Sequence, residues 1–103
     1  MIYLALPYSH PDKTVMHERF LAANRQAAKL MQMGLAVFSP ISHGHPIAQE
    51  GALPTDWQYW KAYCEKMMSI CTTVVVLQLD GWDQSVGVKA ELEVAERLEL
   101  PVV

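Results

Sequence analysis

VVVLQLDGWDQSVGVKAELEVAERL, residues 74–98, holds the pattern from which the fold can be read. Val74–Leu79 is almost continuously apolar, which suits a parallel strand covered on both faces better than an alternating, half-wet one. Asp80-Gly81-Trp82-Asp83-Gln84-Ser85 is a turn-rich loop, and Val86–Leu98 then takes up helical spacing. Working back, Thr55 or Asp56 caps a helix that runs to about Ile70. Met1–Leu6 reads as a short buried strand stopped by Pro7. From Asp12 to Met33 the pattern is helical, capped by Asp12 or Ser9, with Gly34 just past the end. Leu35–Phe38 is a second short strand, closed by Ser39-Pro40. Ile41–Pro54 contains Gly44, Pro46, Gly51 and Pro54 and reads as a loop with room for one short helical turn. Pro101–Val103 begins a further strand.

The order is strand, helix, strand, loop, helix, strand, helix, strand. That alternation implies parallel strands joined by right-handed crossovers, a small doubly wound parallel α/β sheet in a single domain. Ligands of such sheets sit over the carboxyl ends of the strands. Those ends are Leu6–His10, Phe38–His45 and Leu79–Ser85, and the polar punctuation gathers there.

Composition bounds the partners. With 103 residues the chain makes one domain, and 51% hydrophobic content with a net charge of -3 excludes disorder. Eight Lys+Arg against 11 Asp+Glu, with no basic run, argues against a nucleic-acid polymer but allows a small anion. No apolar stretch reaches the ~18–20 residues of a membrane span, so no membrane partner is expected. No basic segment followed by a signal-type apolar run opens the chain. Cys64 and Cys71 lie about two helical turns apart, ~10 Å, too far for a disulfide. Reduced thiols, and hence a cytoplasmic protein, are the expectation.

Glu91 is the sharpest chemical candidate. It lies about two turns into the last helix, where the helix dipole would hold a carboxylate ionised as nucleophile or base. With Glu93 and Glu96 it also fits a solvated helix face, and spacing alone leaves both readings open. Gly87 in the first helical turn costs roughly 1 kcal/mol against Ala, which suggests close approach by a ligand. Tyr3, inside the first strand, is a core aromatic unless something pairs with it. Tyr8, Ser9 and His10 follow at that strand's end. His43-Gly44-His45 supplies two histidines, short of the three or four ligands a metal site needs, and His43 reads better as a hydrogen-bonding group of a pocket. Asp56, with Trp57, Tyr59, Trp60 and Tyr63, marks a helix with an aromatic face for core or subunit interface. Arg19 could face an anion or simply solvent.

Ile2-Tyr3-Leu4-Ala5-x-Pro7-Tyr8, Ser39-Pro40 and Gly81-Trp82-x-x-Ser85-x-Gly87-x-x-x-Glu91-x-x-x-Ala95 together resemble the nucleoside 2-deoxyribosyltransferase-like superfamily, most closely one of its small bacterial branches. The likeness spans essentially the whole chain in order, and the last motif is its specific part. It implies a flavodoxin-like sheet and N-glycosidic bond cleavage of nucleosides or nucleoside 5′-monophosphates. It also implies no metal or organic cofactor, and a homo-oligomer, dimer or tetramer. Glu91 matches the family's nucleophile and Tyr3 the tyrosine that orients it. Ser85 stands where transferases acting on free nucleosides have aspartate and the nucleotide hydrolases have a phosphate-binding serine. Gly87 would let the helix start approach that phosphate. The aspartate that assists the leaving base falls at Cys64 or Glu65, of which only Glu65 can act as an acid. Thr72 and Thr73 replace another family aspartate, and Ala5-Leu6 stands where Ala-Gly is common. Ser9, His43, Asp56, Asp80 and Asp83 are further candidates for substrate contacts. The expected function is an N-glycosidase or 2-deoxyribosyltransferase-like enzyme acting on a nucleoside 5′-monophosphate. The alternative is a non-catalytic nucleotide-binding module on the same fold, and a purely structural oligomerisation domain ranks last.

Overall fold

Ile2–Ala5 forms β1, the strand on which everything else is hung, and a computed structural model describes the chain over residues 1–103. β1 pairs in parallel on one side with β2 (Val37–Phe38) and on the other with β3 (Thr73–Val76). The sheet order is β2-β1-β3. Val102 adds a parallel bridge to Val74 outside β3, with Val103 N–H donating to the Val74 carbonyl at 2.9 Å. This is a small parallel α/β domain, as the alternation of elements predicts, and it fits the flavodoxin-like sheet that the resemblance implies.

β1 is buried on both faces and its neighbours are partly covered, and period 2 sorts their side chains. Tyr3, Ala5 and Val74 face one cluster, built with Cys64, Met68, Val94 and Ala95. These last come from α3 (Trp57–Met68) and α4 (Val86–Arg97). Leu4 and Leu6 face the other, with Ala23 of α1 (Lys13–Gln32) and Ile41 of α2 (Pro40–Gly51). No helix is long and apolar enough to cross a membrane.

Asp12 is the cap of α1, its carboxylate accepting from Thr14 N–H at 2.8 Å. At the other end Gly34 takes φ +84°, Gly34 N–H bonds the Met31 carbonyl and Leu35 N–H the Leu30 carbonyl. That pair of hydrogen bonds is the Schellman helix stop. It draws Leu35 into the cap, which is why β2 is two residues rather than the four expected.

The larger correction concerns residues 41–54. Most of this expected loop is α2, a helix of 12 residues. Ser39 caps it, its Oγ accepting from Ser42 N–H at 3.2 Å, and Pro40 occupies the first turn, where no N–H is needed. Pro46 removes one internal hydrogen bond, but Ile41, Gly44, His45 and Ala48 bury one face at helical spacing. Packing of that face outweighs the breaker. The Asp80–Ser85 loop likewise contains a 3₁₀ turn, Trp82–Gln84, entered through Gly81 at φ +87°.

Candidate functional site

The chain leaves β1 and β3 toward opposite sides of the sheet, and a cavity of about 670 Å³ opens between the two exits. Such a crevice is where a doubly wound sheet takes its ligand. Its walls come from the loop after β1, from α2, from the start of α3 and from the start of α4.

Glu91 lies in the cavity wall and is only 5% exposed. The Tyr3 hydroxyl, 88 residues away in sequence, donates to its Oε2. Tyr3 is fully buried in the middle of the sheet, so the carboxyl is held by a rigid donor. Burial pushes the Glu91 pKa up to about 8, with the Tyr3 hydrogen bond pulling partly the other way. The expectation that the helix dipole keeps this carboxylate ionised is therefore corrected. Desolvation dominates, and the resting group is mostly neutral at pH 7. Burial and the neighbouring Glu91 raise the Tyr3 pKa well above its ordinary value, so Tyr3 is a donor throughout.

Ser85 caps α4, its Oγ accepting from Val88 N–H at 3.2 Å, which leaves the hydroxyl proton for another acceptor. A Cβ at Gly87 would meet only Ser85 Oγ, at 3.9 Å. No protein neighbour accounts for that glycine; the space before it belongs to the cavity. Arg19 also lines the cavity and makes no salt bridge. Its Nη1 donates to the Tyr8 and Ser9 carbonyls at 3.3 and 3.2 Å, and its Nη2 to the Asp80 carbonyl at 3.2 Å. These bonds leave two of the five guanidinium N–H groups for an anion. Ser85, Gly87 and Arg19 thus bring hydroxyl, helix start and cation to one cavity.

Not every candidate arrives there. Cys64, not Glu65, lines the cavity, and its thiol lies against the Tyr3 hydroxyl with its pKa pushed up to about 11 by burial. Glu65, one residue on, turns to a separate groove between α3 and α4 and pairs with Arg97 at 3.4 Å. The acid role expected of Glu65 is thereby withdrawn. Asp80 and Asp83 are exposed and stand outside the cavity wall, which Gln84 joins instead. His43 is exposed, bonded to the Tyr63 hydroxyl at 2.7 Å, and also stands outside. Ser9 lines the cavity, its Oγ donating to the Thr55 carbonyl at 2.9 Å. Asp56 lines it too, and makes no side-chain cap bond to α3.

The residues missed by sequence reasoning are His45 and the wall around it. His45 is 5% exposed and lines the cavity where His43 was expected. Its Nδ1 lies 2.5 Å from the Tyr8 hydroxyl, and its ring stacks on Phe20 with centroids 4.3 Å apart. Burial and the nearby His17 lower its pKa, keeping the imidazole neutral. Trp60 packs on Gly44 beside it, anchored by its indole N–H to the Pro54 carbonyl at 2.8 Å. The signal was present: residues 41, 44, 45 and 48 follow helical steps, which puts His45 inward and His43 outward.

The chain belongs to the family described as Domain of unknown function (DUF1937), whose model matches residues 1–103. Comparison with the curated proteins finds no match.

Proposed function

We propose that this member of the DUF1937 family cleaves the N-glycosidic bond of a nucleoside 5′-monophosphate, with Glu91 as nucleophile. The observation that carries the reading is the buried Tyr3–Glu91 pair in the wall of a cavity that also holds Ser85, Gly87 and Arg19. The resemblance assigns Glu91, Ser85 and Gly87 of the Gly81–Ala95 stretch, and Tyr3 of the opening strand, to the same roles; Arg19 joins them by its place in the cavity wall. In its anionic form Glu91 attacks the anomeric carbon. A C–O bond forms, the C–N bond breaks with its electron pair leaving on the base, and a glycosyl ester results. Water, or a second base, then attacks that ester. Tyr3 fixes the carboxylate for the attack. The Ser85 hydroxyl, the Gly87 backbone N–H and Arg19 take the phosphate at the start of α4, where the helix dipole favours an anion. A homo-oligomer belongs to the same reading. Met68 and much of Trp57, Trp60 and Met67 are spent on the core, but Tyr59, Tyr63 and Ile47 are exposed.

One observation favours the second reading, a nucleotide-binding module without turnover. The place expected to assist the leaving base is taken by Cys64, whose thiol is too weak an acid for that task. A panel of ribo- and 2′-deoxynucleoside 5′-monophosphates, followed by chromatography of released base, separates the two. Base release that disappears in Glu91→Gln supports the enzyme. No release from any member of the panel, with thermal stabilisation by one nucleotide, leaves the binding module. Release that survives Glu91→Gln sinks the nucleophile assignment.

A further inference from the structure

His45 carries an unexplained atom. Its Nε2 is buried and has no hydrogen-bond partner, although Nδ1 lies 2.5 Å from the Tyr8 hydroxyl. The contact has two possible directions, and the orphaned nitrogen chooses between them. If Tyr8 donated to Nδ1, the imidazole proton would sit on Nε2 as a buried N–H without an acceptor. Orphaned buried N–H groups are rare, whereas an under-satisfied acceptor is somewhat better tolerated. Phe20, stacked on the imidazole face at 4.3 Å, offers neither ring nitrogen an acceptor. The proton therefore belongs on Nδ1, which donates to Tyr8 Oη. The Tyr8 O–H is then left without any protein acceptor, since the His45 contact is its one hydrogen bond.

We infer that His45, through its Nδ1–H, aims the Tyr8 hydroxyl proton into the cavity as the hydrogen-bond donor to an acceptor atom of the departing base. The inference rests on the N-glycosidase reading and fills the gap that Glu65 leaves there. The anion-suited groups Ser85, Gly87 and Arg19 gather at the start of α4. Tyr8 Oη lies instead against His45 of α2, in a cavity wall that also includes Gly44 and the aromatic Trp60, suited to a heterocycle. As the C–N bond breaks, negative charge grows on the base, and a fixed donor stabilises it. The proton stays on Tyr8, so no covalent change at the pair is required. Tyr8 touches the base; His45 is a positioning residue acting through it.

Nitrogen-15 spectroscopy of His45 in the intact protein reads the tautomer directly. The expected result is a pyrrole-type Nδ1 and a pyridine-type Nε2. Kinetics give the second arm, on whichever nucleotide of the panel releases base. Tyr8→Phe should lower kcat on the order of 10²-fold with KM little changed. His45→Leu should fall with it, and the double variant should be no worse than Tyr8→Phe, because both remove one donor. His45→Asn, which keeps an N–H near the Nδ1 position, should recover much of the loss. A protonated Nε2, or Tyr8→Phe at wild-type kcat, overturns the inference and leaves the glycosidase reading intact. A wild-type protein silent on the whole panel overturns that reading, and this role with it.

Discussion

A carboxyl buried to 5% exposure, facing one tyrosine hydroxyl, is in the wrong ionisation state for attack at neutral pH. With its pKa at about 8, Glu91 loses its proton only as the solution turns mildly alkaline. A nucleophile must be anionic, so kcat/KM should rise about tenfold per pH unit below 8 and level off above it. A pH profile falling through the same value would instead make Glu91 a proton donor. The same shift sets stability. Between pH 4.5 and 8 the native carboxyl holds a proton that the unfolded chain has released, so Glu91 destabilises the fold increasingly as pH rises. Glu91→Gln removes that load, by on the order of 5 kcal/mol at pH 9 and almost nothing at pH 4.5. Thermal melts of both proteins at the two pH values check it. That Glu91 could be a buried group was legible, though spacing alone left the solvated reading beside it; the structure sets it with Val88, Val94 and Ala95 on the buried face of α4. Its pairing with Tyr3 was not legible, because 88 residues and a crossover lie between them, and only the resemblance joined the two.

Among the helices, two glycines of opposite meaning make a test of local reading. Gly34 ends α1 at φ +84° with open space around it, so only the backbone needs it. Gly44 sits inside α2, where an added Cβ would make ordinary contact with the Trp60 ring at 3.5 Å. Gly34→Ala should therefore cost about 1 kcal/mol, while Gly44→Ala should stabilise by up to about 1 kcal/mol. Chemical denaturation of the pair should show opposite signs. The elements with plain punctuation, α1, α4, β1 and β3, were legible within a few residues. α2 was not, because Gly44, Pro46 and Gly51 outvote its cap when each residue is read singly. That one misreading also exchanged the histidines, since a loop has no inward face to separate His45 from His43. The choice between Cys64 and Glu65 has the same physics. One helical step of about 100° turns Cys64 toward Tyr3 and Glu65 toward Arg97.

The whole molecule has a radius of gyration of 12.7 Å, about what a compact monomer of this length should have. Yet only 19 of 103 residues are buried, a thin core for independent stability. Self-association through exposed aromatic surface on α3 should therefore raise the mass seen in gel filtration with light scattering to at least twice 11.6 kDa. A monomer at micromolar concentration removes the oligomer from the proposal. The doubly wound parallel sheet, the feature best forecast from sequence, also makes the cavity, because parallel strands whose connections diverge must leave a cleft between them. Across that cleft Arg19 reaches from α1 to carbonyls of both departing segments, those of Tyr8 and Ser9 on one bank and Asp80 on the other. It works as a latch. Under the proposed reading a phosphate takes the two guanidinium N–H groups that these bonds leave free, so the clasp that ties the two banks together is also what meets the cleft's contents.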